Sequence, residues 1–339
     1  MRCQLLARKI GVDLGTSNVL VYVKGEGIVL NEPSLVALST DGTRILAVGK
    51  AADELIGRAP DTVRVVRPMR DGVISDCAVT EGMLHHFIRK VQGWGRIFKP
   101  VIMICVPSGV TSVGRRAVTE AAIAAGAQQA WLIDEPLAAA IGAGLTIAEA
   151  KGSAIVDVGG GITEIAVVSL SGTVVAHSIK VGGNQIDDAL TEYLKSKHDL
   201  LVSGRAAEDL KIAIGSAVEV SEPLVTEVRG RDPNTGRVRS QEVTSNEVAE
   251  AIQEPLRQIV SAIRDVLDET PSELAADVFD RGIVLTGGGA QLRGLGRHLA
   301  THTGIPFLLA DDPQTSVVRG AGLALDNFEV LKRNQGYFR

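Results

Sequence analysis

Two carboxylates stand beside two glycine turns in matching surroundings. Residues 10–23, IGVDLGTSNVLVYV, align with residues 154–167, AIVDVGGGITEIAV, so that Asp13 falls on Asp157 and Gly15 on Gly159. A third glycine run, Gly287, Gly288 and Gly289, follows the apolar stretch 283–286. A turn bare of side chains lets backbone N–H groups approach an anionic oxygen and donate to it, so each turn has the chemistry of a phosphate holder. Two such turns facing each other would grip a polyphosphate from both sides. Asp13 and Asp157 end their strands next to the turns, where a buried carboxylate needs compensation. A hydrated Mg²⁺ bridging phosphate oxygens would supply it, held by the two aspartates through water. Taken singly, each motif is equally an ordinary tight turn with a capping aspartate. Two matching copies and a third glycine run weigh against that simpler reading. Neither turn is a Walker A loop, since no Gly-Lys-Ser/Thr follows, and neither is a dinucleotide fingerprint, since each returns into a strand instead of a helix.

The elements that must position these turns are legible from composition and pattern. The chain has 339 residues, 45% hydrophobic and 22% charged, enough for a substantial core and for two or more domains. A formal net charge of −5, with basic residues spread along the chain, gives no reason to expect nucleic acid as a partner. Cys3, Cys77 and Cys105 form no CxxC pair and no thiolate metal pattern, which points to a reduced cytosol. MRCQLLARKI carries no apolar core of signal-peptide length, and no window reaches about 18 uninterrupted apolar residues. The expectation is a cytoplasmic protein that neither spans a membrane nor is exported by an obvious signal.

The β-branched flanks of both turns predict two hairpins, and their recurrence predicts two related halves. VIMICVP (101–107) reads as a buried strand, 112–127 as a helix ending at Gly126, and 131–145 as a strand feeding a helix with Pro136 in its first turn. The alternation is that of βαβ units, and the fold class is α/β. The more polar stretch 185–249, with strong turn signals at 229–236, reads as an inserted subdomain. Residues 247–270 read as one long amphipathic helix, and 281–299 as strand, glycine turn and helix.

DLGTSNVLVYVKGEGIVLNEPSLVAL, RPMRDGVISD, IDEPLAAAIGAGL, DVGGGITEIAVVSLSG, LKIAIGSA and IVLTGGGAQLRGL closely resemble the bacterial MreB family of the actin-like ATPase superfamily. The resemblance runs from about residue 10 to residue 325. It implies an actin-like ATPase fold of two lobes, each with a large RNase-H-like and a small subdomain, and ATP or ADP with Mg²⁺ in the central cleft. The implied subdomains are 1–32, 68–149 and 319–339 (IA), 33–67 (IB), 150–184 and 250–318 (IIA), and 185–249 (IIB). The first phosphate turn would be Gly15, Thr16, Ser17 and Asn18, and the second Gly159, Gly160 and Gly161. Adenine and ribose would lie against Gly287, Gly288, Gly289 and the helix carrying Glu208 and Lys211, with Gly182 and Gly183 nearby. Glu135 holds the family's position for orienting or deprotonating the attacking water, with Asp13 and Asp157 completing the catalytic set. On spacing alone, Glu135 is equally a first-turn carboxylate favoured by the helix dipole, a role Asp134 could fill as well.

Two departures from the family pattern stand out. Ile162 replaces the first threonine of the usual Gly-Gly-Gly-Thr-Thr-Glu, removing a hydroxyl suited to placing the water, so slow hydrolysis is expected. Asn184 stands where an aspartate is frequent. Trp94, Ile97 and Phe98 match the family's membrane-insertion loop, and Arg96 and Lys99 beside them suit an anionic lipid surface. The alternative is that these apolar side chains cover the following strand. The implied function is a filament-forming cytoskeletal ATPase, peripheral at the inner face of the cell membrane. Its implied partners are further copies of itself in paired protofilaments and the cell-wall synthesis and shape-determining membrane proteins. Rival readings are a small-molecule kinase of the same superfamily and a chaperone-type ATPase. The latter would need a peptide-binding domain after LALD (323–326), which is not expected.

Overall fold

Near-continuous apolar runs build the centre of each sheet, because strands covered on both faces need no polar alternation. The computed structural model describes residues 7–92, 98–326 and 328, and the chain divides into two units. The first comprises Met1–Lys151, Val168–Thr173 and Gln314–Arg339, the second Gly152–Val167 and Val174–Pro313.

In the first unit β1 (Lys9–Leu14), β2 (Asn18–Val23) and β3 (Gly27–Pro33) form an antiparallel meander. A small sheet follows, from β4 (Val36–Ser39), β5 (Ile45–Val48), the short helix α1 (Lys50–Asp53) and β6 (Val63–Val66), in the order β5-β4-β6. A two-stranded ribbon, β7 (Met69–Arg70) and β8 (Val73–Ile74), leads into α2 (Cys77–Gln92). Then come β9 (Val101–Val106), α3 (Ser112–Ala124), β10 (Gln129–Asp134) and α4 (Glu135–Gly142). Thr111 caps α3 by accepting the Gly114 N–H at 3.2 Å. β1, β9 and β10 are parallel, and the large sheet runs β10-β9-β1-β2-β3. Ile10, Val12, Met83, Phe87 and Ile104 are among the residues packed into its core.

The second unit opens with β11 (Ser153–Val158), β12 (Thr163–Ser169) and β13 (Gly172–Ile179). There follow α5 (Gly183–His198), α6 (Gly204–Ile214), the hairpin of β14 (Val225–Arg231) and β15 (Val238–Thr244), α7 (Ser245–Ala251), α8 (Gln253–Glu269) and α9 (Ser272–Arg281). β16 (Ile283–Thr286), α10 (Leu295–Thr303) and β17 (Phe307–Leu309) complete it. Its sheet runs β13-β12-β11-β16-β17, which repeats the connectivity of the first sheet strand for strand. The sequence repeat thus extends from two hairpins to two whole five-stranded sheets.

The expected helix over 247–270 is two helices. Thr244 and Glu247 cap α7 reciprocally, and the helix breaks at Ile252 (φ −96°, ψ 9°). Pro255 explains the break: it has no N–H to give, and its ring opposes the carbonyl of residue 251. The turn signals at 229–236 resolve as the β14–β15 connection, where Asp232 accepts from the N–H groups of Asn234 and Thr235 at 2.8 and 2.9 Å.

The final helix, α11 (Ser316–Asp326), belongs to the first unit and packs on α4, β1, β9 and β2. Small residues let it approach closely. A Cβ built on Gly142 would stand 1.7 Å from the Ser316 carbonyl oxygen, and one on Gly320 the same distance from that of Ala138. Among the described residues no helix is long and apolar enough to cross a membrane.

Candidate functional site

In the first unit, β1 delivers Asp13 to the mouth of the β1–β2 turn, and Gly15, Thr16, Ser17 and Asn18 form that turn. A Cβ on Gly15 would meet the Asn18 carbonyl at 2.7 Å, so the tight turn requires glycine there. Two braces fix it. The Ser34 hydroxyl donates to the Gly15 carbonyl at 2.6 Å, and the Gly72 N–H donates to the Thr16 hydroxyl at 3.1 Å. Thr16 is thereby occupied, while Asn18 is exposed. Burial lifts the Asp13 carboxyl from 3.8 to about 7, the signature of a charge site without local compensation.

Glu135 is the first residue of α4 and only 7% exposed. Its neighbour Asp134 occupies the N-cap position but makes no capping bond; its carboxylate pairs with Arg115 of α3 instead. Burial raises the Asp134 pKa, and the Arg115 guanidinium opposes the rise. The two adjacent carboxylates are therefore not equivalent, since Asp134 is a structural partner of α3.

In the second unit Asp157 is the next-to-last residue of β11, 6% exposed and opposite Thr286 of the parallel β16. The turn of Gly159, Gly160 and Gly161 is closed by the Gly159 N–H donating to the Ile162 carbonyl at 2.9 Å. The start of α5 locks it from behind: the N–H groups of Gly183 and Asn184 donate to the carbonyls of Gly159 and Gly160 at 3.0 and 2.7 Å. A Cβ on Gly182 would stand 2.6 Å from the Gly159 oxygen, so Gly182 serves the close approach of α5 to this turn. Asn184 takes part through its backbone, a contact open to any non-proline residue.

Gly287 lies against the same turn at φ 88°, and its Cβ would meet the Val158 carbonyl at 2.3 Å and Asp157 Oδ1 at 2.7 Å. Gly288, by contrast, faces open space. The Pro313 carbonyl anchors this third turn, accepting from the Gly287 N–H and the Thr286 hydroxyl, each at 2.8 Å. On α6, Glu208 is exposed, and Lys211 is held by Asp187 (2.8 Å) and by the Gly183 carbonyl (3.2 Å). Burial raises Asp187 to about 6, while Lys211 pulls it down and Glu208 and Asp188 push it up.

Ile162 is buried (7% exposed), and the Thr163 hydroxyl is spent on the Val181 carbonyl at 2.7 Å. Neither position offers a hydroxyl for placing water. Sequence reasoning missed Asp187, Arg115 and the Gly72–Thr16 brace, because each depends on a contact distant in sequence. Trp94 and Ile97 lie outside the described residues, and Phe98 is 43% exposed.

Each unit, taken by itself, offers one carboxylate beside an amide-rich turn, the chemistry a hydrated divalent cation takes, and burial drives that of Asp13 toward protonation. Among the described residues no group of three or more His, Cys, Asp or Glu side chains could hold a metal ion.

The family described as MreB/Mbl protein matches residues 7–333. The chain is 48% identical to the cell shape-determining protein MreB of Escherichia coli (strain K12), covering 96% of this chain and 95% of that one. It is 45% identical to the cell shape-determining protein Mbl of Bacillus subtilis (strain 168), with 98% and 99% covered. Its fold is similar to that of MreB5 of Spiroplasma citri bound to ADP, with a TM-score of 0.91 at 33% identity over 97% of this chain and 99% of that one. A MamK double helical filament, at 23% identity and a TM-score of 0.80 over 94% and 99% of the two chains, shares the fold. The duplicated sheets, each with an aspartate and a glycine turn at the end of its first strand, are those of an actin-like protein, and the chain belongs to the MreB/Mbl family.

Proposed function

We propose that this chain is a cell shape-determining cytoskeletal protein that binds ATP with Mg²⁺ and assembles into filaments. The observation that carries the reading is the duplicated strand, aspartate and glycine turn, each turn braced so that its amides are held in place. The relatives add weight. MreB5 of Spiroplasma citri has been solved with ADP and with AMPPNP, and MamK as a filament.

In this reading the turns at 15–18 and 159–161 donate to phosphate oxygens. Gly287, Gly288, Gly289 and α6 receive the nucleoside. Asp13 and Asp157 would hold Mg²⁺ through water, and the ion would supply charge neutralisation at the phosphates. Glu135 positions the attacking water and accepts its proton. Ile162, lacking a hydroxyl, leaves that water with fewer anchors, so hydrolysis is slow. The subdomains in this proposal are 1–32, 68–149 and 319–339, 33–67, 150–184 and 250–318, and 185–249, and a head-to-tail contact that does not close propagates the filament. Trp94, Ile97 and Phe98 attach it to the inner membrane face, where many weak contacts add up along the polymer and position cell-wall synthesis proteins.

Light scattering with negative-stain microscopy tests this. With Mg²⁺ and ATP or AMPPNP, filaments are expected, and Glu135→Gln should polymerise while releasing phosphate slowly. Absence of nucleotide-dependent filaments across all conditions would overturn the reading.

A further inference from the structure

A cavity lies within the first unit, lined by the small sheet and the segments around it. Its volume is about 630 Å³, inside the range of roughly 300–1,000 Å³ typical of small-ligand sites. Its wall is of two kinds. Leu35, Leu55 and Val65 give it an apolar side, and Arg64, Arg67 and Arg70 a cationic one.

The arginines come from β6, the segment after it and β7, at intervals of three residues. Arg67 Nη1 is buried without a hydrogen-bond partner, and none of the three guanidinia has a carboxylate partner among the described residues. Arg64 and Arg70 are exposed and Arg67 is half-buried, whereas Arg8 and Arg115 are paired with Glu26 and Asp134. A guanidinium presents a planar fork of donors that suits phosphate oxygens, and a phosphate has acceptors enough for several forks at once.

We propose that this cavity binds an organic phosphate, with the anionic group on Arg64, Arg67 and Arg70 and its apolar portion on Leu35, Leu55 and Val65. The apolar wall separates this ligand class from inorganic phosphate, and the three guanidinia separate it from a neutral amphiphile. None of these residues is placed in the proposed nucleotide site, though Leu35 and Arg70 adjoin Ser34 and Gly72, which brace its first turn, so the titrations are run with that site both empty and filled.

The test is calorimetric titration of the full chain with hexyl phosphate, inorganic phosphate and hexanol, with and without saturating ADP and Mg²⁺. Hexyl phosphate should bind at one site in both conditions, at least about tenfold more tightly than either fragment. Arg67→Met and Arg64→Met should each weaken it by about tenfold, and Arg67→Lys, keeping charge but losing the fork, by less. Thermal melts and ADP titrations of the variants establish that they fold. Pelleting with dioleoylphosphatidic acid vesicles separates two sources of the phosphate: loss in Arg64→Met indicates a lipid headgroup, and unchanged pelleting a soluble ligand. The proposal is overturned if hexyl phosphate fails to bind the wild type, binds the arginine variants equally, or binds no better than inorganic phosphate. It is equally overturned if the variants lose filament assembly alone, which would assign the arginines to a protein partner.

Discussion

Adjacent carboxylates at the start of α4 serve different ends, and single substitutions separate them. Asp134 is tied to Arg115, so Asp134→Asn should lower stability by about 2 kcal/mol, the scale of a charge-assisted hydrogen bond, read by urea unfolding. Glu135→Gln should leave nucleotide affinity in place and slow phosphate release by roughly 10²-fold or more. Unchanged release in that variant would remove Glu135 from the water-positioning role. Ile162→Thr should accelerate release by restoring a hydroxyl, and an unaltered rate would show that Ile162 is not limiting. Asp13 makes a pH prediction. Its folded pKa of about 7 lies above the unfolded 3.8, so the folded state keeps a proton that the unfolded chain has released. The stabilisation is complete below about 4 and is lost as pH rises toward 7, in the absence of a cation. Asp13→Asn should flatten that slope in urea melts and weaken the Mg²⁺ dependence of nucleotide binding. The positions of Asp13, Asp157 and the glycines were legible because a strand ending in aspartate and glycine is a local pattern. The partners of Asp134, Thr16 and Lys211 were not, since Arg115, Gly72 and Asp187 reach them through tertiary packing.

At the level of elements, turn chemistry and apolar runs marked the hairpins and βαβ units well, because glycine and β-branched residues act locally. The break at Ile252 was hidden by an amphipathic pattern that continues across it. Proline read as a first-turn residue of α8 would have revealed it. Close packing of α4 on α11 depends on glycine at two crossings. Gly320→Val should therefore cost about 1–3 kcal/mol through overpacking, detected as a lower midpoint in thermal unfolding. Gly288→Ala, at a glycine facing open space, is the matched control and should melt as the wild type does.

For the molecule as a whole, the sequence repeat foretold two halves, and the identical strand orders of the two sheets carry that duplication through. Membrane attachment is a property of the assembled polymer in this reading, so replacing Trp94, Ile97 and Phe98 together by alanine should abolish pelleting with anionic liposomes without altering filament yield. Equal pelleting would remove the loop from that role. The seat of α11 sets an order of biosynthesis. The second unit is almost contiguous in sequence, whereas the first waits for Ser316–Asp326 to cover the small residues of α4 and β1. At roughly 5–20 residues per second, the first unit stands unfinished on the ribosome for on the order of ten seconds while the second emerges and folds. A chain ending at residue 313 and released from the ribosome should thus be protease-sensitive in its first 150 or so residues and resistant in 174–313, an inversion of the usual amino-terminal-first order of maturation.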